Sequence, residues 1–282
     1  MKKKKAVFIL LGQSNATGHD IPMEAKDRIE TPLTHVFGLH RQPNQSFDIR
    51  QLTWTGYTSE GMNLAETQDH TYSVANCLAA QWQSAIDSGA DLPDLYILQI
   101  AIGAQGVGEG YMWHPDRAPK LVPGKLGQVD ISLHPFCMHI FSLLQESLGD
   151  FEIIGLHWRG GENDAYDPPQ GLYDRLMPIY TRLLEDWSRM LGDPPMILHR
   201  IVAHERYTDR DATGQQLESM HIINRIYEEL AQKYAHVSLF DVRSCPDFVP
   251  NVRGNGIFKE DMVHFTPSVN QWVARTIIES QR

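Results

Sequence analysis

Ala6-Val7-Phe8-Ile9-Leu10-Leu11-Gly12-Gln13-Ser14-Asn15 is an apolar run that ends in a glycine-led polar turn. The run is rich in Ile, Val and Leu and does not alternate with polar residues. Strands covered on both faces read this way, as in the parallel sheet of an α/β protein. Lys2 to Lys5 stand in front of it. A basic start before an apolar stretch is also how a secretion signal begins. This stretch is shorter than the roughly 7–15 residues such a signal needs, and no small-residue cleavage site follows it cleanly. It is therefore read as the first strand of a sheet.

Four more runs share that character: Leu95–Ile102, Glu152–Trp158, Met196–Ala203 and Val237–Val242. Between them lie segments with helical spacing. Tyr72–Ser88 places Val74, Leu78 and Trp82 four residues apart, on one face. Pro135–Leu148, Tyr173–Leu191, Gly214–Tyr234 and Pro267–Ser280 behave similarly, and Thr266 with Pro267 forms a helix start signal. Strands alternating with helices imply right-handed crossovers and a parallel sheet. Two stretches, His19–Asp69 and Gly103–Asp130, read as long irregular loops.

The chain has 282 residues, 42% of them hydrophobic and 21% charged, which is enough apolar material for a substantial core. The formal net charge of -10 argues against nucleic acid or an anionic membrane as partner. No apolar stretch approaches the ~18 residues of a membrane span. Cys77, Cys137 and Cys245 are scattered and odd in number, so a disulfide framework is not expected and a reducing compartment is favoured. Together with the missing signal, this predicts a cytoplasmic protein.

In a parallel sheet, ligands bind beyond the carboxyl ends of the strands. The first strand leads to Gly12-Gln13-Ser14-Asn15, which puts a hydroxyl at the sheet rim. Capping a helix is the ordinary task of a Ser there. The second leads to Gly103-Ala104-Gln105-Gly106, a turn whose backbone N–H groups can approach a ligand closely. Gly106-Val107-Gly108-Glu109-Gly110-Tyr111 fails as a dinucleotide loop, because Tyr111 takes the place of the third glycine. The third leads to Arg159-Gly160-Gly161-Glu162-Asn163-Asp164, where the Asn163 amide can donate to an oxyanion or simply complete a polar turn. Near the end, Asp261-Met262-Val263-His264 spaces a carboxylate and an imidazole so that one can orient the other. Each signal is weak alone. Their joint placement at strand ends, in this order, points to acyl chemistry.

Together these residues resemble the SGNH hydrolases, the GDSL-type esterases. The matching blocks are Ser14, Gly103, Asn163 within Gly161-Glu162-Asn163-Asp164, and Asp261 with His264. The resemblance spans residues 12 to 266. It implies a single domain over residues 1–282, with a three-layer α/β/α fold and a flavodoxin-like, five-stranded parallel sheet. The first block reads Gly-Gln-Ser-Asn, which is similar to the branch containing sialate O-acetylesterases and acetylxylan esterases. In the third block Gly160 stands where that branch commonly carries Gln.

The resemblance implies a catalytic triad of Ser14, Asp261 and His264, and an oxyanion hole formed by Ser14, Gly103 and Asn163. The substrate class it implies is an acetylated carbohydrate, with no cofactor and no metal. Gln13, Trp113, Arg159 and Glu162 are candidate substrate contacts, although Glu162, with Asp164, reads first as a brace that holds loops by hydrogen bonds. Tyr111, His114, His204 and Arg206 are secondary candidates. His134, Cys137 and His139 do not share one helix face, which argues against a zinc site. The chain lacks the GxSxG elbow of lipase-type enzymes.

Overall fold

A strand buried on both faces needs hydrogen-bond partners on both edges, and the first run has them. The computed structural model describes residues 4–18, 22–41, 50–65, 69–118, 121–122, 130–202, 214–246 and 264–282. In chain order the elements are β1 (Lys5–Gly12), the single turn α1 (Ser14–Thr17), β2 (Val36–Leu39), β3 (Trp54–Gly56), α2 (Val74–Asp87) and β4 (Leu95–Ala101). The short strands β5 (Leu121–Val122) and β6 (Asp130–Ile131) follow, then α3 (Leu133–Leu148), β7 (Phe151–Arg159) and α4 (Leu172–Leu191). The chain continues with β8 (Met196–His199), α5 (Gln215–Lys233), β9 (Val237–Phe240) and α6 (Pro267–Glu279).

All five expected strands form, in the mutual order second, first, third, fourth, fifth, which is the flavodoxin arrangement. The sheet is larger than expected. It has seven strands in the order β3-β2-β4-β1-β7-β8-β9, with β3 antiparallel on the edge. Both additional strands come from the stretch expected to be irregular. β2 carries Gly38 and only four residues, so it has no pattern of its own; it forms because β4 offers an open edge, pairing Val36 with Leu95. The second irregular stretch likewise contains a small antiparallel ladder, β5 with β6.

The period of two along β1 sorts its side chains into two cores. Val7, Ile9 and Leu11 face a layer that includes Phe136 and Ile140 of α3, Leu183 and Trp187 of α4, and Ile223 of α5. Ala6, Phe8 and Leu10 face Leu78 and Trp82 of α2 and Val273 of α6. Two helical layers on one sheet explain why the run shows no polar alternation. The start of α2 is capped by Ser73, whose hydroxyl accepts the N–H of Asn76 at 3.1 Å. Thr266 occupies the cap position of α6 with Pro267 at the first turn, without a side-chain bond to the backbone. The three cysteines are buried and unpaired. Among the described residues no helix is long and apolar enough to cross a membrane.

The end of β1 is the tightest point. Gly12 has φ +140°, and a Cβ there would lie 2.0 Å from the carbonyl oxygen of Arg159 on β7. Only glycine fits both the torsion and the gap. Gly12→Ala is therefore expected to destabilise the protein by at least about 3 kcal/mol, since strained backbone and a clash with a main-chain carbonyl add. Urea unfolding measures this, and a variant as stable as the parent would contradict the reading.

Candidate active site

Backbone register assembles the site before any side chain is considered. Gly12, the last residue of β1, pairs with Ala101 on β4 and with Arg159 on β7. Ser14, Gly103 and Asn163 thus follow three adjacent parallel strands at the same rim. β1 and β7 are also where the direction of winding reverses, the place where open α/β sheets bind ligands.

Ser14 is the first residue of α1, and the cap position belongs to Gln13. The hydroxyl is therefore not used as a helix cap. Ser14 is 7% exposed. Because α1 is a single turn, it supplies little of the dipole that a longer helix brings to such a site. Asn15 lies beside it, and its Oδ1 accepts the backbone N–H of Phe265 at 3.3 Å. This bond joins the residue after Ser14 to the residue after His264, and so brings the two sequence-distant segments together. Asp261, His204 and Arg206 lie outside the described residues.

Glu162, Asn163 and Asp164 follow β7 and reach in two directions. Glu162 accepts from the Gln13 side-chain amide and from Asn15 Nδ2, the latter at 2.8 Å. Asp164 turns towards the loop after β4. It accepts the N–H of Val107 at 2.9 Å, the N–H of Gly108 at 3.0 Å and the hydroxyl of Tyr180 at 2.9 Å. A Cβ on residue 106 would sit 2.3 Å from Asp164 Oδ1, which accounts for Gly106. Asn163, half-buried between the two carboxylates, accepts the Tyr111 hydroxyl at its carbonyl at 3.3 Å. Burial pushes the Asp164 carboxyl up to about 6, against the donors of Gly108, Tyr180 and Val107 that pull it down.

Three candidate substrate contacts belong to the underside of the site. Trp113 is fully buried, with its Nε1 donating to the Gly12 carbonyl at 3.0 Å and its ring edge-on to Trp158. It offers no open ring face to a sugar, because the loop expected to be irregular folds it back into the core. Gln13 and Arg159 are each 1% exposed. Arg159 donates to Asn270 of α6 at 2.8 Å and lies 4.9 Å from the centroid of the Phe265 ring. Glu162, also buried, bonds within the protein as described. These four are braces in this structure.

Three more braces carried little or no sequence signal. Asn63 receives the N–H of Ala101 at 3.1 Å and donates to the Ala101 carbonyl at 2.9 Å, pinning the end of β4. Asn270 additionally donates to the Tyr72 carbonyl at 2.7 Å. Gln99 donates to the Ala16 carbonyl at 2.8 Å. A lone Gln inside the apolar run of β4 was the one legible hint. The buried His157–His199 pair, 2.9 Å apart, is held neutral by burial, which pushes His157 down to about 3. Among the described residues no three His, Cys, Asp or Glu side chains gather into a metal-ligand set.

No family model matches the sequence, and no curated relative aligns with it. Solved structures do match. NanS superposes over 100% of this chain and 98% of its own, at 14% identity and a TM-score of 0.62. A protein from Arabidopsis thaliana superposes over 99% of this chain and 98% of its own, at 15% identity and a TM-score of 0.58. At such identity the shared property is the fold. The shared architecture is the three-layer α/β/α arrangement around a mostly parallel sheet that the sequence predicts, with seven strands in place of five.

Asp164 makes the stability of the site pH-dependent in a definite sense. Its folded carboxyl holds a proton more tightly than the unfolded one, so its stabilising contribution is complete below about pH 4. That contribution is lost as pH rises through about 6, and is level above. Against Asp164→Asn, which cannot titrate, the parent should lose up to about 3 kcal/mol of relative stability between pH 4 and 7. Denaturant melts of both proteins at four pH values test this, and parallel curves would refute it.

Proposed function

We propose that the protein is a serine esterase that removes O-acetyl groups from a carbohydrate through an acetyl-enzyme. The observation that carries the reading is the meeting of the Ser14 and His264 segments, through Asn15 and Phe265, at the rim shared by Gly103 and Asn163. In this reading His264 takes the Ser14 proton as the hydroxyl attacks the ester carbonyl, and then gives it to the departing sugar oxygen. Asp261 orients His264 and stabilises its charged form. The N–H groups of Ser14 and Gly103 and the amide of Asn163 receive the negative charge of the tetrahedral intermediate. Loss of one such donor costs roughly 10²–10³ in rate. Water, activated by His264, then releases acetate. The chemistry needs no metal and no organic cofactor.

The acetylated-carbohydrate assignment, of acetylxylan or sialic-acid type, rests on the Gly-Gln-Ser-Asn and Gly-Glu-Asn-Asp blocks, and the rival is another acyl specificity on the same fold. Acetate release from acetylated xylan fragments and acetylated sialic acids, set beside nitrophenyl esters of increasing chain length, separates the two. Activity on the acetylated sugars is expected, and preference for acyl chains of about eight carbons or more would overturn the assignment. A fluorophosphonate probe should label Ser14. Ser14→Ala and His264→Ala should each lose nearly all turnover, and Asp261→Asn should retain more. Folded protein that stays unlabelled would instead be a carbohydrate-binding relative without catalysis.

A further inference from the structure

We infer that Glu162 is a positioning residue for Ser14: one buried carboxylate holds both chain neighbours of the nucleophile and, through Asn15, the segment that carries His264. The inference rests on the esterase reading above and adds to it a residue that touches no reacting atom.

The geometry is directional. A carboxylate has only acceptors, and a side-chain amide has donors at one end and an acceptor at the other. Glu162 Oε2 takes the Gln13 amide and Oε1 takes the Asn15 amide, so the two oxygens straddle residue 14. With its NH₂ committed to Glu162, Asn15 must present Oδ1 on the opposite side. That is where it accepts the Phe265 N–H. Rotating the Asn15 amide by half a turn would break both bonds and set two oxygens against each other. Glu162 therefore fixes the orientation of the group that ties the base segment to the nucleophile loop.

Arg159 reinforces the same arrangement from three residues upstream. Its guanidinium is buried, packs against the Phe265 ring and is anchored to α6 through Asn270. Its charge and that of Glu162 attract one another, which offsets part of the cost of burying each. If the site were held by packing alone, an uncharged residue of similar size would serve at 162. A carboxylate is needed because two amide donors converge there.

Glu162→Gln keeps the shape and replaces one acceptor by a donor, so the two flanking amides can no longer both donate to residue 162 and one of them must turn. The expected result on a short-chain nitrophenyl ester is a fall in kcat of about 10- to 100-fold with KM nearly unchanged, as for a small misplacement of reacting groups. The rate of Ser14 labelling by the fluorophosphonate should fall in parallel. Asn15→Ala should show a loss of the same kind, and the double variant should lose less than the product of the two single losses. Circular dichroism at the assay temperature confirms that each variant is folded. If Glu162→Gln does not fold, the split between kcat and KM in Asn15→Ala decides. A labelled parent with unchanged kcat in the folded variants, or with additive losses in the double variant, overturns the positioning role while leaving the esterase intact. A parent that is neither labelled nor active overturns the esterase reading, and the positioning role with it.

Discussion

β1 has a parallel neighbour on each side, and at its last residue the backbone must leave the sheet through a gap that admits no side chain. At Gly12 the torsion and the nearby carbonyl of Arg159 leave one solution. The Gln13 N–H then donates to that same carbonyl at 2.9 Å, and the Gly12 carbonyl receives the Trp113 indole at 3.0 Å. Residues 13 to 15 are thereby turned into the crevice where the winding of the sheet reverses. Everything else at the rim follows from pairing register. The ends of β4 and β7 stand level with Gly12, so the segments that leave them meet the Ser14 turn.

Register brings the loops level but does not hold them. That task falls to two carboxylates on either side of Asn163. Glu162 secures the loop from β1, and Asp164 secures the loop from β4. Both are buried, and burial disfavours charge. The cost is visible at Asp164, whose carboxyl is pushed up to about 6 yet remains ionised at neutral pH because three donors converge on it. The half-buried Asn163 between two such anchors is held from both sides.

The five buried strands were legible because a strand covered on both faces must be apolar at every position, and such runs stand out against helical spacing. β2 and β3 were not legible. With four and three residues and a glycine in each, they have no periodicity, and they are strands only because β4 and then β2 present free edges. Among the candidate site residues, the placement of Ser14, Gly103 and Asn163 just beyond strands was legible. Gln13, Trp113 and Arg159 are buried and bonded within the protein, which their sequence surroundings do not announce. A Trp in a loop reads as a surface platform until the loop is seen to fold inward, and a polar residue beside a nucleophile reads as a ligand contact until its partners appear. Inside–outside is a property of the whole fold, and a local window carries little of it.

The motif blocks encode a shared hydrogen-bonding scheme. Gln13 and Asn15 flank Ser14, and Glu162 lies 147 residues beyond Asn15. Two amides and one carboxylate are complementary in donors and acceptors, so the first and third blocks form one hydrogen-bonded unit split along the chain. A change in one block has to be answered in the other, because an amide left facing an apolar group or another donor would be buried without a partner. The letters around Ser14 therefore describe how the hydroxyl is held. The buried layer around Ser14 is tightly constrained by this complementarity, and the half-exposed surface around it, with Tyr111, is not.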